Sequence, residues 1–151
     1  MLTLLRRFIS PESSPAVLDW GLLVFRVLFG LALLRVHGWE KMANYAEEVQ
    51  SIPDPFGLGG PANMAFAIAS DVLGAALVVL GLATRPAALL ILGTTLVGLL
   101  LVHLADDWHG RDVPLVYSIM ALAVLVLGPG RHSLDAWLVG KLREPTPDLG
   151  Y

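Results

Sequence analysis

The run 89–102 contains nothing more polar than Thr94 and Thr95 on any helical face. A helix on the surface of a water-soluble bundle keeps a polar stripe toward solvent, and this run has none. The same character recurs at 17–39, 61–83, 86–105 and 113–128. The first three reach about 20 residues or more, enough to cross a hydrocarbon core of about 30 Å at about 1.5 Å per residue. The fourth is shorter and stops at Gly128-Pro129-Gly130, which makes it the weakest span. Composition agrees: 56% of residues are hydrophobic, 15% are charged, and the mean hydropathy is +0.69. Soluble domains are markedly less apolar and more charged. The expected fold is all-α: an integral membrane four-helix bundle forming one domain over residues 1–151.

The breaks between spans are turn-like. Pro53, Pro55, Gly57, Gly59, Gly60 and Pro61 make a long loop, 84–86 a tight hairpin, and 105–112 an aspartate-rich loop. Pro61 and Pro86 stand at helix starts, where a missing N–H costs little. Residues 1–15, with Leu2, Leu4, Leu5, Phe8 and Ile9 beside Arg6 and Arg7, read as an interfacial segment. A second short surface helix is expected over 133–143, with Ser133 as its N-cap. The first apolar run is too long for a cleaved signal peptide and lacks a small-x-small cleavage site.

The net charge of −3 and the lack of a basic tract exclude a nucleic-acid partner. The absence of cysteine excludes thiol chemistry, disulfides and an iron–sulfur cluster held by the chain's own thiolates. Charge sidedness is pronounced. Arg6, Arg7, Arg85, Arg131, Lys141 and Arg143 fall on one side of the four spans. Lys41 and Arg111 fall on the other, with Glu40, Glu47, Glu48, Asp54, Asp106, Asp107 and Asp112. The positive-inside bias places both termini in the cytoplasm and the acidic face outside.

Charged groups within the bilayer are costly and mark structural or functional sites. Arg26 and Asp71 each fall about ten residues into their spans, so a buried ion pair between them at mid-depth is expected. It would either lock two helices or form the polar floor of a ligand or proton site. Arg26, Gly30, His37 and Lys41 share one helical stripe, while Arg35 faces away and snorkels to headgroups. His37, His103 and Tyr117 lie at matched depth nearer the acidic side and are expected to converge in a pocket. That pocket suits a quinone or similar redox ring, metal or haem ligation through His37 and His103, or plain interfacial hydration. The four tryptophans fall at interfaces as an aromatic belt.

Taken in order, Arg26-x3-Gly30, His37-Gly38-x2-Lys41, Asp71-x2-Gly74, Gly81-x3-Arg85, His103 and Gly128-Pro129-Gly130-Arg131-x-Ser133-Leu134-Asp135 resemble the DoxX family over roughly 17–138. The resemblance implies a small four-helix protein of a bacterial or archaeal cytoplasmic (inner) membrane. It is also similar to the membrane subunit of thiosulfate:quinone oxidoreductase, and so implies a membrane redox role. It marks Arg26, His37, Lys41, Arg85 and His103 as family-type positions, with Gly30, Gly38, Gly74, Arg131 and Asp135 beside them. Two departures are Asp71, where relatives commonly carry glutamate, and Arg35, where they carry an apolar residue.

Three functions are expected. The first is a quinone-interacting subunit whose ligand meets Arg26, His37, Asp71, His103 and Tyr117, with a partner oxidoreductase supplying electrons. The second is a non-enzymatic membrane scaffold for a partner complex. The third is a small-solute or lipid transport component, which would require several copies of the chain.

Overall fold

A computed structural model describes residues 14–142, and within them the chain is helical with no strand. The expected interfacial segment 1–15 lies almost wholly outside the described residues. We number the helices α1 (Pro15–Ala43), α2 (Tyr45–Ser51), α3 (Gly60–Leu80), α4 (Thr84–Val102), α5 (Trp108–Leu127) and α6 (Leu134–Leu142). The helices α1, α3, α4 and α5 are each long and apolar enough to cross a membrane. Their outward faces carry large apolar side chains such as Leu28, Leu73, Leu89, Ile119 and Val126, all more than half exposed. An apolar belt of that extent is tolerated only against lipid.

The spans differ from expectation at their ends. α5 begins at Trp108 and reaches 20 residues, so the span that looks weakest in the sequence is of full length. Its start is set by Asp107, whose carboxylate accepts the Gly110 N–H at 3.2 Å as an N-cap. Pro114 sits inside the helix, where it cannot donate to the Gly110 carbonyl one turn earlier. α1 continues past the expected end at 39 to Ala43, and α2 forms between the expected spans 17–39 and 61–83, ahead of the Pro53–Pro61 loop. α6 forms as expected, with the Ala136 N–H donating to Ser133 Oγ at 3.1 Å.

The interior is built from small residues. Ala75, Ala87, Ala88 and Ala121 pack with Phe29, Leu33, Val78, Ile91 and Val124, and close helix approach supplies the van der Waals contact that holds helices together in lipid. α1 runs antiparallel to α3. A Cβ on Gly30 would lie 2.8 Å from the Ala75 carbonyl, and one on Gly38 would lie 2.6 Å from that of Asp71.

One end of the bundle is tied by two charged side chains. Arg26, 2% exposed, donates from Nη1 to the Val78 and Val79 carbonyls at 3.1 Å and from Nη2 to the His132 carbonyl. The first two are carbonyls of the last turn of α3, that of Val78 also accepting the Gly81 N–H at 3.2 Å, and a cation there also opposes the helix dipole. Gly81, with φ +66°, leaves the space the guanidinium fills. Asp135 does the converse for α4, accepting the Ala83 N–H at 2.7 Å, the Thr84 N–H at 2.9 Å and the Thr84 hydroxyl at 2.8 Å. Its own N–H donates to the Gly81 carbonyl at 2.8 Å.

Partial burial pushes the Asp135 carboxyl up. The Thr84 and Ala83 hydrogen bonds and the Arg26 charge outweigh this and hold it below the usual carboxylate range. A depressed folded value means stability that is present above the unfolded value of about 3.9 and lost as pH falls through the folded one. Asp135→Asn should therefore lower stability by about 1–3 kcal/mol at pH 7. Its thermal midpoint in detergent should converge with that of wild type as the pH drops below about 4. A gap that persists undiminished at low pH would show that the carboxylate charge is not what ties this end.

Candidate functional site

Three of the four spans depart from α-helical winding, and they do so around the polar residues. Leu34–Gly38 in α1, Ala69–Gly74 in α3 and Gly98–Val102 in α4 are π-helical turns. Such turns keep the backbone bonded, i to i+5, while inserting a residue, and they occur often at functional sites. One inserted residue rotates the downstream part of the helix by roughly 100°. In α1 this brings Gly38, rather than His37, onto the face that meets α3. His37 is turned toward α5, where its ring meets Tyr117 edge-on with centroids 5.1 Å apart.

The expected Arg26–Asp71 pair does not form. Arg26 is level with the Gly81 turn, and Asp71 lies seven to eight residues away along α3 from the carbonyls that Arg26 holds, about 11 Å at 1.5 Å per residue. The partner of Asp71 is Lys41, with Nζ to Oδ2 at 3.0 Å and the two side chains only 18% and 8% exposed. The Ser70 hydroxyl donates to the other carboxylate oxygen at 2.9 Å. Spacing in the sequence places two charges at similar depth but cannot show that one of them is engaged at a helix end.

The expected convergence of His37, His103 and Tyr117 is also divided. Because α5 starts at Trp108, Tyr117 falls near the middle of its span and pairs there with His37. His37 Nε2 is buried without a hydrogen-bond partner among the described residues. His103 comes just after the end of α4 and bonds through Nδ1 to Asp106 Oδ2 at 2.7 Å. It shares a cavity with Lys41 and Asp71 instead. The remaining family-type residues serve packing or capping. Gly74 admits Ile91, Arg85 Nε donates to the Leu125 carbonyl at 3.2 Å, and the Arg131 N–H donates to Asp19 at 3.2 Å.

That cavity has a volume of about 450 Å³. Its walls come from α3 (Asn63, Phe66, Ala67, Asp71), from α4 (Gly93, Thr94, Val97, Gly98, Val102) and from a strap over Ile52–Leu58. The strap is not foreseen from the sequence, where its signal is Asp54 in a Pro/Gly run. The Asp54 carboxylate accepts the Leu58 N–H at 2.8 Å, the Gly59 N–H at 2.9 Å and Asn63 Nδ2 at 2.8 Å. These bonds, that from Asn63 foremost, hold the carboxyl below its usual range. Gly60 fits against the Val49 carbonyl, where a Cβ would stand at 2.1 Å, so α2 is pinned to the start of α3. No group of three or more His, Cys, Asp or Glu side chains arranged to hold a metal occurs among the described residues.

Four spanning helices, a buried ion pair at mid-depth and a mostly apolar cavity beside it define a multi-pass membrane protein with an internal cavity. The DoxX family model matches residues 21–104, more than half of the chain, and the chain belongs to the DoxX family. Comparisons with curated proteins and with solved structures returned no match.

Removing one member of a buried ion pair leaves the other uncompensated, whereas replacing both need not destabilise. Lys41→Met should cost about 3 kcal/mol, the low end for a buried pair because Lys41 keeps some exposure. Lys41→Met combined with Asp71→Leu should recover most of the loss in a double-mutant cycle of thermal midpoints. Strictly additive losses would mean that the two groups are not coupled.

Proposed function

We propose that this chain is a quinone-interacting membrane subunit of a redox system and works with a partner oxidoreductase. The cavity beside Lys41, Asp71 and His103 is the observation that carries this reading. Its volume falls within the roughly 300–1,000 Å³ of small-molecule sites, and its lining of many apolar and few convergent polar groups is of the usual kind. A quinone offers two carbonyl oxygens as acceptors and an apolar ring. The Lys41 ammonium donates to one carbonyl, and the His103 imidazole donates to the other.

Reduction to the quinol takes two electrons and two protons. The electrons come from the partner's redox centre. The protons reach the ring through His103, whose hydrogen bond to exposed Asp106 connects the cavity rim to water. Glu47 and Glu48 on α2, with Asp106 and Asp107 in the α4–α5 loop, lie at this end and are the surface on which the partner docks. The lysine and arginine bias of the sequence supports this end facing outward with both termini in the cytoplasm, and the family resemblance supports a bacterial or archaeal membrane. The sequence resemblance to the membrane subunit of thiosulfate:quinone oxidoreductase points to the same chemistry.

A second reading, a scaffold that assembles a partner, draws support from Arg26, Gly81, Arg85 and Asp135. These family-type residues bond helix ends and contribute nothing to the cavity. Binding separates the two readings. In lipid nanodiscs the chain should bind decylubiquinone saturably, and His103→Ala and Val97→Trp should each weaken binding about tenfold, or about 1.4 kcal/mol. His37→Ala and Tyr117→Phe lie outside the cavity and should change affinity less than about threefold. No saturable binding by wild type, together with a partner complex whose activity ignores His103→Ala, would favour the scaffold.

A further inference from the structure

We infer that the cavity is loaded sideways from the bilayer, through a mouth beside Gly93 on α4, and that its ligand is an amphiphile whose apolar tail leaves by that mouth. The inference rests on the cavity being a ligand site, as proposed above. It adds the class of ligand and the residue that selects it.

The cavity tracks α4 from His103 back to Gly93, about 15 Å at 1.5 Å per residue. It therefore reaches from the end of a span to near its middle. At that inner end Gly93 is exposed, and a Cβ built on it meets no atom within 4 Å. Nearer the strap on α3, Phe66 lines the same cavity and is 58% exposed. The wall is thus open where the surrounding medium is hydrocarbon. At the other end the strap lies across the cavity, tied down by the three bonds to Asp54 and by the seating of Gly60 on Val49. The strap's exposed side chains Phe56 and Leu58 are themselves apolar.

A solute arriving from water meets a tied strap. A molecule already dissolved in the membrane meets the open edge beside Gly93. The polar groups lie on the inner wall, so the head of such a molecule turns inward to Lys41 and Asp71 while its tail stays in lipid. Two kinds of molecule share this chemistry, a prenylated quinone and a phospholipid.

The test compares decylubiquinone with the tailless 2,3-dimethoxy-5-methyl-benzoquinone, using the full chain in nanodiscs with free concentrations corrected for partition into lipid. Wild type should bind the tailed probe at least tenfold more tightly. Gly93→Trp should weaken the tailed probe at least tenfold and leave the tailless one within threefold. Leu100→Trp, on the lipid-facing surface outside the cavity, should alter neither, and Gly93→Ala should give a smaller shift of the same sign. Equal loss of both probes in Gly93→Trp, or loss of neither, overturns the lateral mouth.

If wild type binds neither quinone, the quinone reading fails, and a phospholipid carrying an acyl-chain diazirine then decides the mouth. Cross-links to buried Ala67 or Asp71 that disappear in Gly93→Trp support it with phospholipid as the tail's source. Labelling confined to outward-facing residues overturns it.

Discussion

Every backbone polar group that leaves a helix inside or beside a hydrocarbon layer must find a partner within the protein. The turn between α3 and α4 is where this chain meets that demand most sharply. At the end of one helix the turn's own N–H groups reach the Leu77 and Val78 carbonyls, and within a few residues the next begins with N–H groups that its own helix cannot bond. Arg26 supplies donors to the first, and Asp135 supplies acceptors to the second. The two come from opposite ends of the described chain, so a single turn fixes α1, α3, α4 and α6 relative to one another. The close seating of Gly30 on α3, and hence the height at which Gly38 meets Asp71, is built on that fixed end.

The three π-helical turns extend the same logic. Each keeps its amides bonded while altering which side chain faces which neighbour, a change that lipid tolerates because no backbone group is stranded. The result is a bundle with one tied end and one polar middle. Lys41, Ser70 and Asp71 sit on one side of α1, and His37 and Tyr117 on another. The cavity adjoins the first group alone.

The architecture is legible in the residues because it depends on additive quantities. Apolar length marks the four spans, and Gly-Pro-Gly marks the end of the last. Ser133 marks the start of the surface helix, as the Ala136 N–H bond to its hydroxyl bears out. The site is legible only in its membership. Lys41, Asp71 and His103 stand out through chemistry that is costly in a membrane, yet their partners do not. A regular 100° step carries His37 onto the face that Gly38 occupies, because no residue in Leu34–Gly38 announces a π turn. A start at 113 for the last span puts Tyr117 too near the surface, because Arg111 and Asp112 look like loop residues where Asp107 already caps the helix.

Arg26 precedes the first α3 carbonyl it holds by 52 positions, and the carbonyl of His132 by 106. During synthesis its span therefore enters the membrane well before any partner exists. A lone guanidinium in hydrocarbon is costly, and a long side chain lowers that cost by reaching toward the nearest headgroups. Near the tied end, Arg26 can do this until α3 arrives. The latch is thus closed in order of translation: first by the end of the second span, last by the segment that carries Asp135. In the finished bundle the Arg26 guanidinium is buried and engaged, and the exposed Arg85 is the cation left at that turn to meet the membrane edge.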